Sequence, residues 1–204
     1  MLLGAVTSMI KHDLVLLPEL IYPIEEWRLV ERTFAPQYLP QGETIFAIAN
    51  GYLGMRGAYE EGEPAYRHGT FINGFHETWP IPYGERAFGF ATTGQTIVNA
   101  PDGKIIRLYL DDEPFDLSGG RILRYERTLD MRAGTLDREI LWETPAGRQV
   151  LIQTRRLVSF HEKHIAAIQY RATVLNARAS LVLVSEIVNH PPACLLYTSP
   201  SPRD

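Results

Sequence analysis

From Glu43 onward the apolar residues recur at every second position, the mark of strands with one buried face, and not at helical spacing. Leu123, Tyr125, Leu129 and Met131 share one face of such a run, and Arg124, Glu126, Thr128 and Asp130 share the other. The next run, 136–144, carries Leu136, Ile140 and Trp142 on one face, turns at Pro145 and Gly147, and continues into a strand over 149–159. Runs 164–175 and 179–188 alternate again and are separated at Asn176. Nearer the N-terminus, runs 44–49 and 52–56 flank Asn50-Gly51, a strong hairpin signal. Runs 95–100 and 104–110 flank Pro101-Asp102-Gly103, where Pro presets φ and Gly accepts a positive one. One short helix is expected at 24–32. Regularly spaced strands with turn signals between them predict an all-β antiparallel sandwich.

Residues 60–90 break this grammar. Gly62, Pro64, Gly69, Gly74, Pro80, Pro82, Gly84 and Gly89 alternate there with seven aromatic residues, so the stretch reads as a long ordered loop. Phe75, His76, Glu77, Trp79 and Tyr83 have the composition of a carbohydrate surface. Sugars offer flat apolar faces to aromatic rings, and hydroxyls to carboxylate and imidazole. The competing reading, which weighs more, is that these rings pack the loop onto the sheet or onto a neighbouring domain.

Composition excludes several classes. The net charge of −4 leaves no electrostatic footprint for nucleic acid. The single cysteine, Cys194, rules out an internal disulfide. No apolar run approaches the ~20 residues of a membrane span. The acids Glu60, Glu61 and Glu63, like Asp111, Asp112 and Glu113, flank turn residues and are expected to point to water, not to form a catalytic pair. His161 and His164 stand beside a turn without further ligands, so no metal site is expected. No nucleophile elbow, phosphate loop or dinucleotide fingerprint occurs, and no cofactor is expected. Arg56 reads as an ion-pair partner within the sheet.

Several segments in order resemble glycoside hydrolase family 65, the family of maltose, trehalose and kojibiose phosphorylases: 22–27, 43–57, 69–77, 117–121, 125–132 and 154–159. The second contains Asn50, Gly51, Gly54, Arg56 and Gly57, and the third ends in Phe75-His76-Glu77. The resemblance implies an N-terminal β-sandwich that precedes an (α/α)6 barrel. In the family a barrel glutamate protonates the glycosidic oxygen and inorganic phosphate attacks the anomeric carbon with inversion, giving β-glucose 1-phosphate. Those groups lie in the barrel, so no catalytic residue maps onto this sequence. The resemblance further implies a mostly intracellular, cytoplasmic enzyme. Its N-terminal domain would dock on the barrel, help shape the sugar entrance and contribute to a homodimer. A hydrolase of the same family and a free-standing carbohydrate-binding module are the alternatives.

The expected organisation is an extension over 1–20, with Met9 an alternative start, and an incomplete sandwich over 21–192. Residues 193–204 read as a non-native sequencing tail.

Overall fold

The computed structural model describes residues 18–85 and 87–189, so the expectations for Met9 and for 193–204 lie outside the described residues. Its strands are β1 (Ile24–Glu25), β2 (Arg28–Glu31), β3 (Ile48–Ala49), β4 (Leu53–Met55), β5 (Thr70–Pro80), β6 (Thr93–Asn99), β7 (Asp102–Leu110), β8 (Glu113–Pro114), β9 (Arg121–Asp130), β10 (Thr135–Glu143), β11 (Gln149–Val158), β12 (Ala166–Val174) and β13 (Leu181–Val188). Among the described residues one α-helix, α1, spans Leu39–Ile45. Every pairing is antiparallel. A six-stranded sheet runs β1-β2-β9-β10-β11-β12, a three-stranded sheet β13-β7-β8, and a four-stranded sheet β3-β4-β5-β6. The first two pack face to face, which makes the fold the antiparallel sandwich that the alternation predicts.

Between them lies the larger core. Ile140 and Trp142 of β10 and Val150 and Ile152 of β11 meet Leu108 and Leu110 of β7, with Phe115, Leu117, Tyr59 and Tyr125 closing the cluster. Burial of each aliphatic side chain is worth about 1.5–3 kcal/mol relative to leaving it in water. A second cluster, with Phe46, Ile48, Leu53, Leu136 and Val158, joins the four-stranded sheet to the end of the six-stranded one.

Four local expectations change. Residues 24–32 form the β1–β2 hairpin and no helix, with Trp27 at φ 66° in the turn. Residues 44–45 close α1 instead of opening a strand, and the Asn50-Gly51 hairpin shrinks to β3 and β4. Gly51 at φ 86° and the Asn50 carboxamide, which accepts from Tyr52 N and Leu53 N, set that turn. Asp102 and Gly103 begin β7, and β6 and β7 are not partners: the chain crosses there from the four-stranded to the three-stranded sheet. In β9 a bulge opposite Leu141 and Trp142 reverses the alternation, so Ile122 packs on the core while Leu123 is exposed.

Candidate functional site

The aromatic stretch is not a loop. Its centre is β5, which pairs with β6 into a two-stranded ribbon projecting past the short β4. Gly74 at φ 96° makes the bulge that separates the pair Phe71–Asn99 from the pair His76–Ile97. Beyond it, strand alternation places Phe75, Glu77 and Trp79 on one face and His76, Thr78 and Pro80 on the other. Trp79 lies across Gly94, its register partner, and a β-carbon there would collide with the indole. Tyr83 packs on Phe90 at the tip, with ring centroids 4.9 Å apart. Phe75, His76, Glu77 and Trp79 therefore share β5, divided between its two faces, and Tyr83 lies in the connection at its tip. Phe75 is 60% exposed, Trp79 38%, and Phe88 fully so.

A polar cluster fixes the base of the ribbon. Asn99 accepts from Thr70 N at 2.9 Å and donates to His68 O at 3.1 Å. The buried Lys104 ammonium donates to Asp102 Oδ1 at 2.6 Å and to Thr70 Oγ1 at 3.1 Å, and His68 Nδ1 lies 3.2 Å from Asp102 Oδ2. Burial pushes Lys104 down, partly countered by Asp102. Burial pushes Asp102 up, and Lys104 more than reverses it, so its carboxyl stays below the ordinary range.

The acids expected in water include two that are not there. Glu60 and Glu61 are buried between the sheets against two arginines of the core-facing series. Arg138 donates to Glu61 through both terminal nitrogens at 2.7 Å and approaches Glu60 Oε2 at 2.9 Å; Arg156 donates to Glu60 Oε1 at 2.5 Å and to Ala58 O at 2.9 Å. Tyr170 donates to Glu61 at 3.1 Å. Burial alone would raise the Glu60 carboxyl, but Arg156 and then Arg138 overcome it and hold it at about 2.

A matching knot surrounds Glu31, which accepts from Tyr22 at 2.7 Å and Tyr125 at 2.6 Å and pairs with Arg127 at 2.9 Å. Burial raises the Tyr125 hydroxyl well above its usual value. Glu43 of α1 accepts from Tyr66 N and Arg67 N and pairs with Arg56 at 3.3 Å, the ion pair expected of Arg56. Glu63, Asp111 and Asp112 are exposed as expected, whereas Glu113 in β8 is half-buried with its Oε2 shielded from solvent.

These carboxylates are saturated by arginine, tyrosine or amide donors. A general acid needs the reverse, a carboxyl held neutral beside substrate. Glu60, Glu61 and Glu31 therefore organise the core. Among the described residues no three His, Cys, Asp or Glu side chains gather to hold a metal, and no helix is long and apolar enough to cross a membrane. His161 is exposed while His164 packs edge-to-face on Tyr52, with ring centroids 4.6 Å apart. A groove of about 630 Å³ on the outer face of the six-stranded sheet is a ladder of charged side chains, among them Arg124 with Glu139 and Arg155 with Asp137.

Comparison with known proteins identifies the family. The pattern of the "Glycosyl hydrolase family 65, N-terminal domain" matches residues 29–193. An alpha,alpha-trehalose phosphorylase of Thermoanaerobacter brockii is 44% identical over 171 residues, 82% of this chain and 22% of that protein. An uncharacterized glycosyl hydrolase of Mycobacterium tuberculosis is 41% identical over 83% of this chain and 22% of its own length. Among solved structures, a putative kojibiose phosphorylase from the human microbiome superposes with a TM-score of 0.66 at 26% identity, covering 74% of this chain and 20% of that one. The chain thus spans about a fifth of the length of these relatives. It belongs to glycosyl hydrolase family 65 and carries the N-terminal domain of that family.

Proposed function

We propose that the chain is the non-catalytic N-terminal domain of an inverting disaccharide phosphorylase, which cleaves an α-glucosidic disaccharide with inorganic phosphate to β-glucose 1-phosphate and glucose. The 44% identity to a trehalose phosphorylase across most of the chain carries this reading. The arginine, tyrosine and amide donors around Glu31, Glu43, Glu60 and Glu61 support a structural role for these four carboxylates. The proposed setting is cytoplasmic carbohydrate metabolism, as the family resemblance implies.

Within that enzyme the β5–β6 ribbon docks on the remainder of the polypeptide near the sugar entrance. Two isolated strands are marginal in water, and this pair exposes apolar groups on opposite faces, Phe75 and Trp79 on one and Ile97 on the other. A sugar platform needs only one such face, so protein contact is favoured over direct sugar binding.

The test is phosphate-dependent release of glucose 1-phosphate from trehalose, kojibiose and maltose. The full-length protein is expected to act on one of them and the 204-residue chain on none. Hydrolysis independent of phosphate would assign the parent to the hydrolases. Saturable quenching of tryptophan fluorescence in the short chain by these sugars would favour a carbohydrate-binding module instead.

A further inference from the structure

The groove on the outer face of the six-stranded sheet is polar in an ordered way. Strands β9 to β12 cross it, and their register lays two rungs of side chains along its floor. One rung runs Glu126, Glu139, Gln153, Arg171, and the next runs Thr128, Asp137, Arg155, Gln169. Three strand spacings make each rung about 14 Å long. The neighbouring rungs are apolar at their centres, with Leu141 opposite Leu151 on one side and Leu157 opposite Ala167 on the other. These leucines are half-buried. The groove therefore has a hydrogen-bonding floor between aliphatic margins.

A solvated charge ladder explains part of this arrangement. Arg124 pairs with Glu139 at 2.6 Å and Arg155 with Asp137 at 2.5 Å, while Gln153 donates to the second Glu139 oxygen at 2.8 Å. It does not explain Glu126, whose cross-strand neighbour is Glu139, because like charges directly opposite one another destabilise a sheet. Among the described residues no cation pairs with Glu126, and no acid pairs with Arg171 at the far end of the same rung. The rung thus offers an acceptor at one end, a donor fork at the other, and between them the Gln153 amide, which does both.

The ligand chemistry follows from the balance. Arg124, Arg155 and Arg171 stand against Glu126, Asp137 and Glu139, so the groove favours neither a polyanion nor a polycation. Planar carboxylate, amide and guanidinium groups suit adjacent hydroxyls, and the leucine margins suit the C–H faces between those hydroxyls. We propose that the groove binds a neutral glucan chain laid across β9 to β12, with its hydroxyls on Glu126, Gln153 and Arg171. This site is separate from the β5–β6 ribbon. It rests on the proposed function only for its carbohydrate setting.

Affinity electrophoresis of the full-length protein through gels containing soluble starch, a polymer too large for a disaccharide site, tests it. The expected result is starch-dependent retardation, weakened about tenfold by Gln153→Ala and Arg171→Ala together. The melting point and the rate of phosphorolysis should not change, since both side chains face away from the core. If the double variant melts early, Glu126→Ala, at an exposed position, carries the same test with the same expected weakening. Unretarded migration of the unaltered protein overturns the proposal, including the case in which the rest of the polypeptide covers the groove. Retardation that the variants keep also overturns it, because the glucan then binds elsewhere. No tryptophan lines the groove, so quenching of tryptophan fluorescence by sugars reports a different site. Retardation without phosphorolysis would reassign the reaction and leave the groove standing.

Discussion

Replacing Arg138 with methionine removes the centre of the buried ion cluster. Glu61 would lose both of its 2.7 Å guanidinium bonds and keep only the Tyr170 hydroxyl at 3.1 Å. Glu60 would lose its 2.9 Å contact but retain Arg156. Breaking one side of a buried pair leaves a desolvated charge without a partner and costs about 3–5 kcal/mol. A domain's whole stability is about 5–15 kcal/mol, so Arg138→Met should bring this one close to unfolding. Removing the acid as well relieves the penalty. Arg138→Met combined with Glu61→Leu should therefore recover at least about 2 kcal/mol of the summed single costs. Urea unfolding gives these numbers, followed by tryptophan fluorescence, to which Trp142 contributes from the core with its ring 5.2 Å from Phe115, and by far-ultraviolet circular dichroism. A single-mutant cost under about 1 kcal/mol, or two costs that add to within about 0.5 kcal/mol, would refute the role assigned to the cluster.

Two other outcomes follow from the same core. Glu60 is held at about 2 when folded against an ordinary value of 4.5, so its ionisation stabilises the fold above pH 4.5 and that contribution is lost as pH falls toward 2. The loss is about 3 kcal/mol, and a urea-midpoint series over this range should show a slope that Glu60→Gln flattens. Gly57→Ala would place a β-carbon 2.7 Å from Phe46 Cβ, at a backbone pinned by Gly57 N to Glu43 O and Arg127 to Gly57 O. Thermal denaturation should register a cost of about 1–3 kcal/mol, and an unchanged melting point would contradict the packing there.

What the sequence made legible follows the range of each interaction. The alternation of Leu136, Ile140 and Trp142 is local, and it marked both the strand and its buried face. The β1–β2 hairpin was hidden because its turn uses Glu26 and Trp27 in place of an Asn-Gly pair, leaving no turn signal to oppose a helix. Helix α1 was hidden for the opposite reason. Pro40, Gly42 and Thr44 are poor helix formers, and its Glu43 is held by backbone amides more than twenty residues away. The ribbon reads as a loop in the sequence because glycines and prolines bracket β5, and Gly74 sits in a bulge that pairing tolerates.

The buried acids are the feature least legible in the sequence. Glu60 and Glu61 beside Gly62 look like a turn, and nothing near them shows where they go. A signal was present, however, in the basic half of the cluster. Arg138 falls between Leu136 and Ile140 on the core-facing series, and Arg156 falls on the series of Ile152 and Val158. A charge in a core register demands a partner of opposite sign. The candidate residues Phe75, His76, Glu77, Trp79 and Tyr83 were found from composition, while their division between two faces and a tip required the pairing with β6.

The long reach of the ion cluster also imposes an order on biosynthesis. Glu31 waits for Tyr125 94 residues later, Glu61 for Arg138 77 residues later, and Glu60 for Arg156 96 residues later. At roughly 5–20 residues per second, the ribosome leaves Glu60 without Arg156 for about 5–20 s. Throughout that interval the acids hold the N-terminal third in water, since collapse would bury charges with nothing to oppose them. The segment cannot commit to the core until β10 and β11 have left the exit tunnel, so the carboxylates time the folding of the domain to the arrival of the strands it must pack on.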